Sequence, residues 1–279
     1  MDASRGIGPI PFMKMHGLGN DFVVVDARRM EFTVSPEAAR RIADRHRGVG
    51  FDQLAIIEPG DSEVAATLSF LNADGSPSAT CGNATRCIAR HLMEESGVTA
   101  LRLRTERGIL AAEDAGAGLT RVNLGPPILE WDAIPLAEDV DPLHLPIDGD
   151  PVATGMGNPH CTFLVENIEA VDLEALGPTF EHHPLFPERT NVEFAEVKET
   201  GTLRVRVWER GTGVTLASGS CASAAAVAAM RRDRVEGPVR VILDGGPLEI
   251  DWRTDGVWMT GPTVTVFTGE LTSDFLGAL

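Results

Sequence analysis

The chain has 279 residues, 43% of them hydrophobic, which is enough to bury the core of one large domain or of two ordinary ones. Its formal net charge of −17 disfavours a nucleic-acid partner, because proteins that bind a phosphate backbone concentrate Lys and Arg. The sequence has no apolar run that could span a membrane, no apolar leader and no zinc-type cysteine spacing. It therefore predicts a reduced, cytoplasmic protein with no membrane partner.

The predicted elements are mostly strands, with a few helices between them. HGLGNDFVVVD (16–26) is typical of a glycine-bounded loop that leads into a buried strand, and PEAARRIADRHRG (36–48) has the Pro and Gly that begin and end a helix. Further strands are predicted over 64–71, 101–105, 109–113, 203–208, 239–243 and 256–259. Further helices are predicted over 83–97 and 222–234.

The second half of the chain repeats the first. HGLGNDFVVVD and TGMGNPHCTFLVE (154–166) place Asn20 and Asn158 at the same point before a strand, 138 residues apart. FLNADGSPSATCGN (70–83) and VWERGTGVTLASGS (207–220) place Cys81 and Ser218 at the same point before a helix, 137 residues apart. Stretches 101–110 and 122–128 have echoes at 239–248 and 258–264 with nearly the same offset. Four stretches with a nearly constant offset indicate a duplication.

The duplication predicts an α+β fold of two homologous, pseudo-symmetric lobes, each a curved, mostly antiparallel sheet around a long central helix. The predicted N-terminal lobe is 1–128 and the C-terminal lobe is 129–265, with the last strand, about 266–279, returning to the first lobe. The segment 127–150 is rich in proline and acidic residues, which fits a connector or an edge strand.

In both halves a polar side chain stands immediately before a long apolar helix, in Cys81-Gly82-Asn83 and Ser218-Gly219-Ser220. A helix N-terminus presents unpaired N–H groups and a partial positive charge, so two such ends facing each other could hold a carboxylate. The same environment lowers the pKa of a thiol and makes it a usable base. The pattern indicates proton removal and return at a carbon beside a carboxylate, with one base on each face and with no cofactor or metal.

Structural roles compete with this interpretation. A single cysteine before a helix is more often structural than catalytic, and Gly-Asn or Gly-Ser can be ordinary caps. The recurrence of the polar residue at equivalent positions favours a site. Cys87 and Cys161 have apolar neighbours and are predicted to belong to the core. His160 is either a buried, hydrogen-bonded histidine or a site residue, and its place after GMGNP favours the second.

From about residue 12 to its end, the chain resembles the diaminopimelate epimerases, in MKMHGLGNDFVVVDARR, FLNADGS, CGN..RC, GNPHC, TNVEF and WERG.G.T. The resemblance implies cofactor-independent epimerisation of LL- to meso-diaminopimelate, in lysine biosynthesis, by two-base proton transfer at the α-carbon. Cys81 matches one catalytic cysteine, and Glu209 and His160 would assist the bases. The implied substrate-binding residues are Asn20, Gln53, Asn72, Asn158, Asn191 and Arg210, with backbone groups of Gly82, Asn83, Gly219 and Ser220 on the α-carboxylate. The implied binding partner is then diaminopimelate, and the resemblance does not decide whether the chain forms a homodimer.

Ser218 departs from the family pattern, because it occupies the place of the second catalytic cysteine. A serine hydroxyl is a far weaker acid than a thiol, whose pKa is about 8.5, so we predict impaired turnover. An engineered replacement would explain it, as would a natural variant in which Glu209 or His160 helps Ser218 or a one-base dehydration has taken over. Cys221 as the missing thiol is disfavoured, since three residues move the sulfur along the helix.

Two other functions stay open at this point. One is an epimerase, racemase or one-base dehydratase that acts on another amino acid. The other is a paralogue that binds an amino acid with little turnover.

Overall fold

The computed structural model describes residues 9–79, 81–199 and 201–277. These residues form two compact units. The first unit contains the chain up to Thr120 and again from Pro262 onward, and the second unit is Arg121–Gly261. Within the described ranges, no helix combines the length and the apolar composition that crossing a membrane requires.

The elements in chain order are β1 (Ile10–Gly17), β2 (Asn20–Asp26), α1 (Pro36–Ala43), β3 (Gln53–Pro59), β4 (Ala66–Asn72), β5 (Pro77–Ser78), α2 (Gly82–Ser96), β6 (Ala100–Thr105), β7 (Gly108–Gly116), β8 (Leu119–Asn123), β9 (Val152–Gly155), β10 (Pro159–Leu164), α3 (Leu173–Glu181), β11 (Asn191–Glu199), β12 (Thr202–Glu209), β13 (Gly213–Val214), α4 (Gly219–Arg231), β14 (Val239–Leu243), β15 (Gly246–Arg253), β16 (Gly256–Pro262), β17 (Val264–Leu271) and α5 (Ser273–Gly277).

The two units repeat one order of strand pairings. In the first unit β1 is antiparallel to β2, β2 parallel to β3, β3 antiparallel to β4, β4 parallel to β6, and β6 antiparallel to β7. In the second unit β9, β10, β11, β12, β14 and β15 follow the same sequence of pairings. The registers of the parallel pairs agree as well. Phe22 pairs with Gln53, and the residues 138 positions further along the chain, His160 and Asn191, pair with each other. The predicted duplicated α+β fold is therefore confirmed.

One long helix packs against several strands in each unit. Helix α2 contacts β1, β2, β6 and β7, and it ends at Gly97, whose left-handed backbone (φ 71°) a residue with a side chain adopts less readily. Helix α4 contacts β9, β10, β11, β12, β14 and β15, and its residues 221–229 are all buried. Alanines fill most of that segment, so strands can approach it on several sides.

Helix α1 is shorter than predicted: it ends at Ala43, whereas the sequence pattern predicts an end near Gly48. Asp44 leaves the helical conformation with ψ 116°, and its carboxylate accepts hydrogen bonds from the N–H groups of His46 and Arg47. A short acidic side chain that bonds the next backbone amides competes with a helix in this way.

The predicted connector 127–150 forms an isolated bridge, Ile128 with Gly155, and is otherwise irregular. It is nevertheless packed, because Ile134, Leu136 and other apolar residues in it belong to the core of the second unit. Their burial offsets the cost of ordering an irregular segment.

Candidate active site

Cys81 is the residue from which helix α2 begins. Its backbone is extended (φ −145°, ψ 104°), its carbonyl accepts the N–H of Thr85, and its Sγ accepts the N–H of Ala84 at 3.4 Å. The sulfur is half-buried and lies where the helix is positive, which is the environment that favours a thiolate.

A chain of oriented amides adjoins this sulfur. Arg86 Nη1 donates to Asn83 Oδ1 (2.9 Å), Asn83 Nδ2 donates to Asn20 Oδ1 (3.1 Å), and Asn20 Nδ2 donates to Asp52 Oδ2 (2.9 Å). Arginine can only donate and a carboxylate can only accept, so the two ends of the chain fix both amide orientations. Asn20 Oδ1 is thereby directed towards Cys81 Sγ, 3.9 Å away.

Arg86 is fully buried, and its other nitrogens donate to the carbonyl of Pro262 at 3.2 and 3.3 Å. Burial lowers the pKa of this guanidinium, while interactions with Cys87 and Cys81 raise it. A Cβ on Gly17 would lie 2.6 Å from Nη2, so glycine at this position leaves room for the guanidinium. Arg86 thus supports the Cys81 environment from inside the unit.

Gln53 and Asn72 form a second polar group in the first unit, opposite each other on β3 and β4. Gln53 Nε2 donates to Asn72 Oδ1 (3.0 Å) and to Ser78 Oγ (3.3 Å), and Asn72 Nδ2 donates to Ser76 Oγ (3.1 Å). Both amides are half-buried, so the strand pairing presents them together.

Ser218 is the corresponding residue of the second unit, from which helix α4 begins with an extended backbone (φ −131°, ψ 121°). Within the described residues its hydroxyl makes no bond to the N–H groups of the first helical turn. It is 5% exposed, so the side chain lies inside the unit. The hydroxyl is therefore not used as a helix cap.

A buried polar cluster lies on β10 and β11 of the same unit. His160 Nδ1 is 2.6 Å from Glu193 Oε1, His160 Nε2 is 2.9 Å from Asn158 Oδ1, and Thr162 donates to Glu193 Oε2 at 3.0 Å. His160, Thr162 and Glu193 are fully buried. His160 is thus a buried, hydrogen-bonded histidine, which is one of the two roles that its sequence context allows.

Cys221 joins this cluster, since its Sγ and the ligand atoms of His160 and Glu193 all lie within 4.8 Å of one another. Burial raises the pKa of the Cys221 thiol well above its usual value, and the charges of Glu193 and Glu209 raise it further. The three residue types can bind zinc. However, atoms that share a zinc ion at about 2.0 Å are more than about 3 Å apart, whereas the His160–Glu193 contact is a 2.6 Å hydrogen bond. The arrangement is that of a hydrogen-bonded cluster.

Asn191, Glu209 and Arg210 lie at the ends of the adjoining strands. Asn191 is buried, donates to the carbonyl of Pro159 (2.9 Å) and accepts the backbone N–H of Arg210 (3.0 Å). Arg210 Nη1 donates to the carbonyl of Glu188 (3.0 Å). Asn191 therefore fixes the backbone of Arg210.

The carboxylate of Glu209 has a partner of its own. Its Oε1 accepts the hydroxyl of Thr215 at 2.5 Å, beside the hairpin of β12 and β13. Cys87 and Cys161 are fully buried, as predicted for core residues.

Sequence reasoning assigned no role to Arg86 or Glu193, although both belong to quoted motifs, CGN..RC and TNVEF. A signal was present for each, because a charged residue interrupts an otherwise apolar helix face or strand. In the repeat, Glu193 corresponds to Ala55, and Arg86 corresponds to Ser223. Because the equivalent position in the other repeat is uncharged in both cases, comparing the repeats singles out Arg86 and Glu193 more clearly than the motifs do.

Comparison with known proteins supports the same family. A family profile described as diaminopimelate epimerase matches residues 12–130 and 152–268. A diaminopimelate epimerase of Acidiphilium cryptum is 50% identical over 95% of this chain and 98% of its own length. One of Rhodospirillum centenum is 48% identical over 95% of this chain and 93% of its own length.

Solved structures resemble the fold at low sequence identity. A hydroxyproline epimerase from Agrobacterium vitis has a TM-score of 0.65 and 16% identity, with 97% of this chain and 94% of that chain covered. A predicted epimerase from Pseudomonas aeruginosa has a TM-score of 0.66 and 17% identity, with 94% and 99% covered. The family profile and the identity to curated relatives along nearly the whole chain lead to one conclusion: the chain belongs to the diaminopimelate epimerase family, whose members are isomerases of amino-acid biosynthesis.

Proposed function

We propose that this chain epimerises LL- to meso-diaminopimelate without a cofactor. The observation that carries the proposal is the half-buried thiol of Cys81 at the N-terminus of α2, beside amides that Arg86 and Asp52 hold in one orientation. Family membership and the names of the relatives support the substrate.

In the proposed reaction the thiolate of Cys81 removes the α-proton from one face of the substrate. The electron pair moves into the α-carboxylate, which becomes an enediolate held by N–H groups of Gly82, Asn83, Gly219 and Ser220. The hydroxyl of Ser218 then donates a proton to the opposite face, and Glu209 and His160 assist the two bases. The reverse reaction exchanges the two roles.

The substrate is distinguished from ordinary amino acids by its distal end. Asn20, Gln53, Asn72, Asn158, Asn191 and Arg210 are proposed to contact it. The planar guanidinium of Arg210 matches a carboxylate in a two-bond fork. An amino acid without the distal carboxylate cannot form this two-bond contact, so we expect it to bind more weakly.

We also propose that turnover is impaired by Ser218, and Ser218→Cys tests this. Both proteins are incubated with LL- and with meso-diaminopimelate in D₂O, and α-proton exchange and isomer ratio are followed by NMR. Ser218→Cys is expected to raise the epimerisation rate at least about 100-fold, because general-base efficiency requires a pKa near the working pH. Cys87→Ala is the matched control, since it removes a buried thiol elsewhere.

The same experiment separates the other functions. Equal epimerisation rates in both proteins would show that Ser218 does not impair the site. Exchange without inversion shows that Cys81 acts alone, which favours a one-base reaction. Absence of exchange with diaminopimelate in both proteins favours another amino acid as substrate or a paralogue that only binds one.

We also propose that the chain forms two lobes, one of residues 1–128 joined by 266–279 and one of residues 129–265. A second proposal is that the chain forms a homodimer. The apolar side chains of Val266 and Phe267 on β17 are 54% and 48% exposed, which is unusual for large hydrophobics and suits a second copy of the chain. Sedimentation equilibrium measures the mass in solution, and a monomer at micromolar concentration argues against the dimer.

A further inference from the structure

We propose that the buried carboxylate of Glu181 positions Arg210 for the distal carboxylate of the substrate. This inference rests on the proposed function, because it gives Glu181 a part in the substrate specificity of the same site. Glu181 would be a positioning residue, since it acts through the chain on either side of Arg210 and not on the substrate.

Glu181 is the last residue of α3 and is 3% exposed. Its Oε2 accepts the indole N–H of Trp208 at 2.7 Å, and its Oε1 accepts the backbone N–H of Gly211 at 2.9 Å. Arg189 Nη1 also donates to Oε1, at 3.3 Å. A buried carboxylate is costly unless it is paired and hydrogen-bonded, and here both of its oxygens accept. One carboxylate therefore holds the chain two residues before Arg210 and one residue after it.

The indole of Trp208 packs against Gly177, also on α3. A Cβ on Gly177 would lie 2.4 Å from Cδ2 of the indole, so glycine at this position leaves room for the ring. Strand β12 ends at Glu209, the residue after Trp208. Helix α3 thus helps to determine where β12 delivers the residue that follows, Arg210.

Two consecutive backbone N–H groups at this turn are bound by buried side chains of different elements. Asn191, on β11, accepts the N–H of Arg210 at 3.0 Å, and Glu181, on α3, accepts the N–H of Gly211 at 2.9 Å. A binding side chain on a loop is precise only if its supporting contacts hold the backbone. These two bonds fix the direction in which the Arg210 side chain leaves the chain.

The equivalent turn of the first unit is held by a side chain of its own. Asp74 accepts the N–H and the hydroxyl of Ser76, at 2.8 and 2.6 Å. In the repeat, Gly211 takes the place of Asp74, and Arg210 takes the place of Ala73. Gly211 has no side chain that could hold the turn, and a carboxylate from α3 accepts its N–H instead. The turn that carries the arginine is therefore the one that α3 supports.

The test measures binding of meso-diaminopimelate to Glu181→Gln, with Arg210 and with Arg210→Met. Glutamine keeps the shape of glutamate but accepts at one oxygen only, so the indole N–H or the Gly211 N–H loses its partner. With Arg210, the dissociation constant from calorimetry is expected to rise about tenfold. With Arg210→Met, the further rise stays below about twofold, because the residue that Glu181 positions is gone. Glu196→Gln is the matched control, since its carboxylate accepts the N–H of Ile168 in the same unit.

Kinetics and a milder variant give further readouts. In Ser218→Cys, Glu181→Gln should raise KM about tenfold and change kcat by less than about threefold, as expected when binding is lost equally in the ground and transition states. Trp208→Phe keeps an aromatic ring against Gly177 and removes only the N–H, so it tests the same contact if Glu181→Gln does not fold. Its dissociation constant should rise about threefold, and an unchanged value overturns the proposal.

Equal rises with Arg210 and with Arg210→Met would also overturn it, because a general loss of structure acts in both. Nitrogen relaxation of Arg210 Nε in the protein without ligand gives a result that does not depend on the substrate. Glu181→Gln is expected to lower the order parameter of this N–H group. An unchanged order parameter overturns the positioning role even if meso-diaminopimelate does not bind the native chain, an outcome that by itself refutes only the proposed substrate.

Discussion

Cys81 and Ser218 begin equivalent helices but bring acids of very different strength to that position. In a two-base epimerisation the step in which Ser218 donates a proton is the reverse of the step in which it accepts one. The equilibrium between LL- and meso-diaminopimelate is set by the two compounds alone. If the proposed two-base reaction holds, a weak acid at position 218 is therefore expected to slow both directions by the same factor.

The ion pairs of Asp21 are predicted to make the stability of the fold depend on pH. Burial alone would raise the pKa of its carboxyl, but hydrogen bonds from Arg45 and Lys14 outweigh burial and lower the pKa to about 2. The folded state thus binds this proton less readily than the unfolded chain, and the stabilisation, about 2 kcal/mol, is present above pH 4 and is lost as the pH falls to about 2.

Asp21→Asn should remove this pH-dependent part. Urea unfolding midpoints of the native chain and of Asp21→Asn are measured between pH 2 and pH 6. Their difference is expected to be largest above pH 4 and to shrink towards pH 2. A difference that is constant over this range contradicts the assigned ion pairs, and Glu106→Gln, which removes an exposed carboxylate, controls for the change in net charge.

At the scale of elements, the long helices were predictable from local features of the sequence, namely their apolar character, the glycine that ends α2 and the basic residues at the end of α4. The end of α1 was not, since Asp44 bonds the next amides instead of continuing the helix. The Cys81 and Ser218 hinges were found by their recurrence before a helix. Arg86 and Glu193 were missed because a buried charge contradicts the apolar pattern, and only its partners in the fold explain it.

Arg86→Lys tests how α2 supports its own N-terminus. Lysine keeps the charge but cannot reach both Asn83 and the Pro262 carbonyl, because it lacks the planar fork of arginine. We expect kcat/KM to fall about tenfold and the free energy of unfolding to fall by about 1–3 kcal/mol, the cost of an unsatisfied buried polar group.

The comparison for Arg86→Lys is Arg90→Lys on the same helix. Arg90 pairs with Glu94 and Asp114, away from the amide chain. An equal loss of kcat/KM in both variants would mean that the amide orientation does not matter to Cys81.

For the whole molecule, the duplication followed from a nearly constant offset in four stretches, and the repeated strand pairings of the two units confirm it. The packing of segment 127–150 could not be predicted, because its order comes from apolar residues such as Ile134 and Leu145 inserted into the second unit. Local patterns specify elements, whereas irregular segments depend on contacts that are distant in sequence.

Substrate binding can be separated from turnover by its effect on the stability of the whole molecule. A ligand that binds only the folded protein stabilises it by about 2.7 kcal/mol at 100 times its Kd, which raises the melting temperature of a chain of this size by several degrees. Meso-diaminopimelate is expected to give this shift with both the native chain and Ser218→Cys, because position 218 is proposed to act on the α-carbon and not on the distal end. L-lysine, which lacks the distal carboxylate, should shift Tm by less than a degree at equal concentration. Arg210→Met should abolish the difference between the two ligands; equal shifts by lysine and diaminopimelate in the native chain would instead refute recognition of the distal carboxylate.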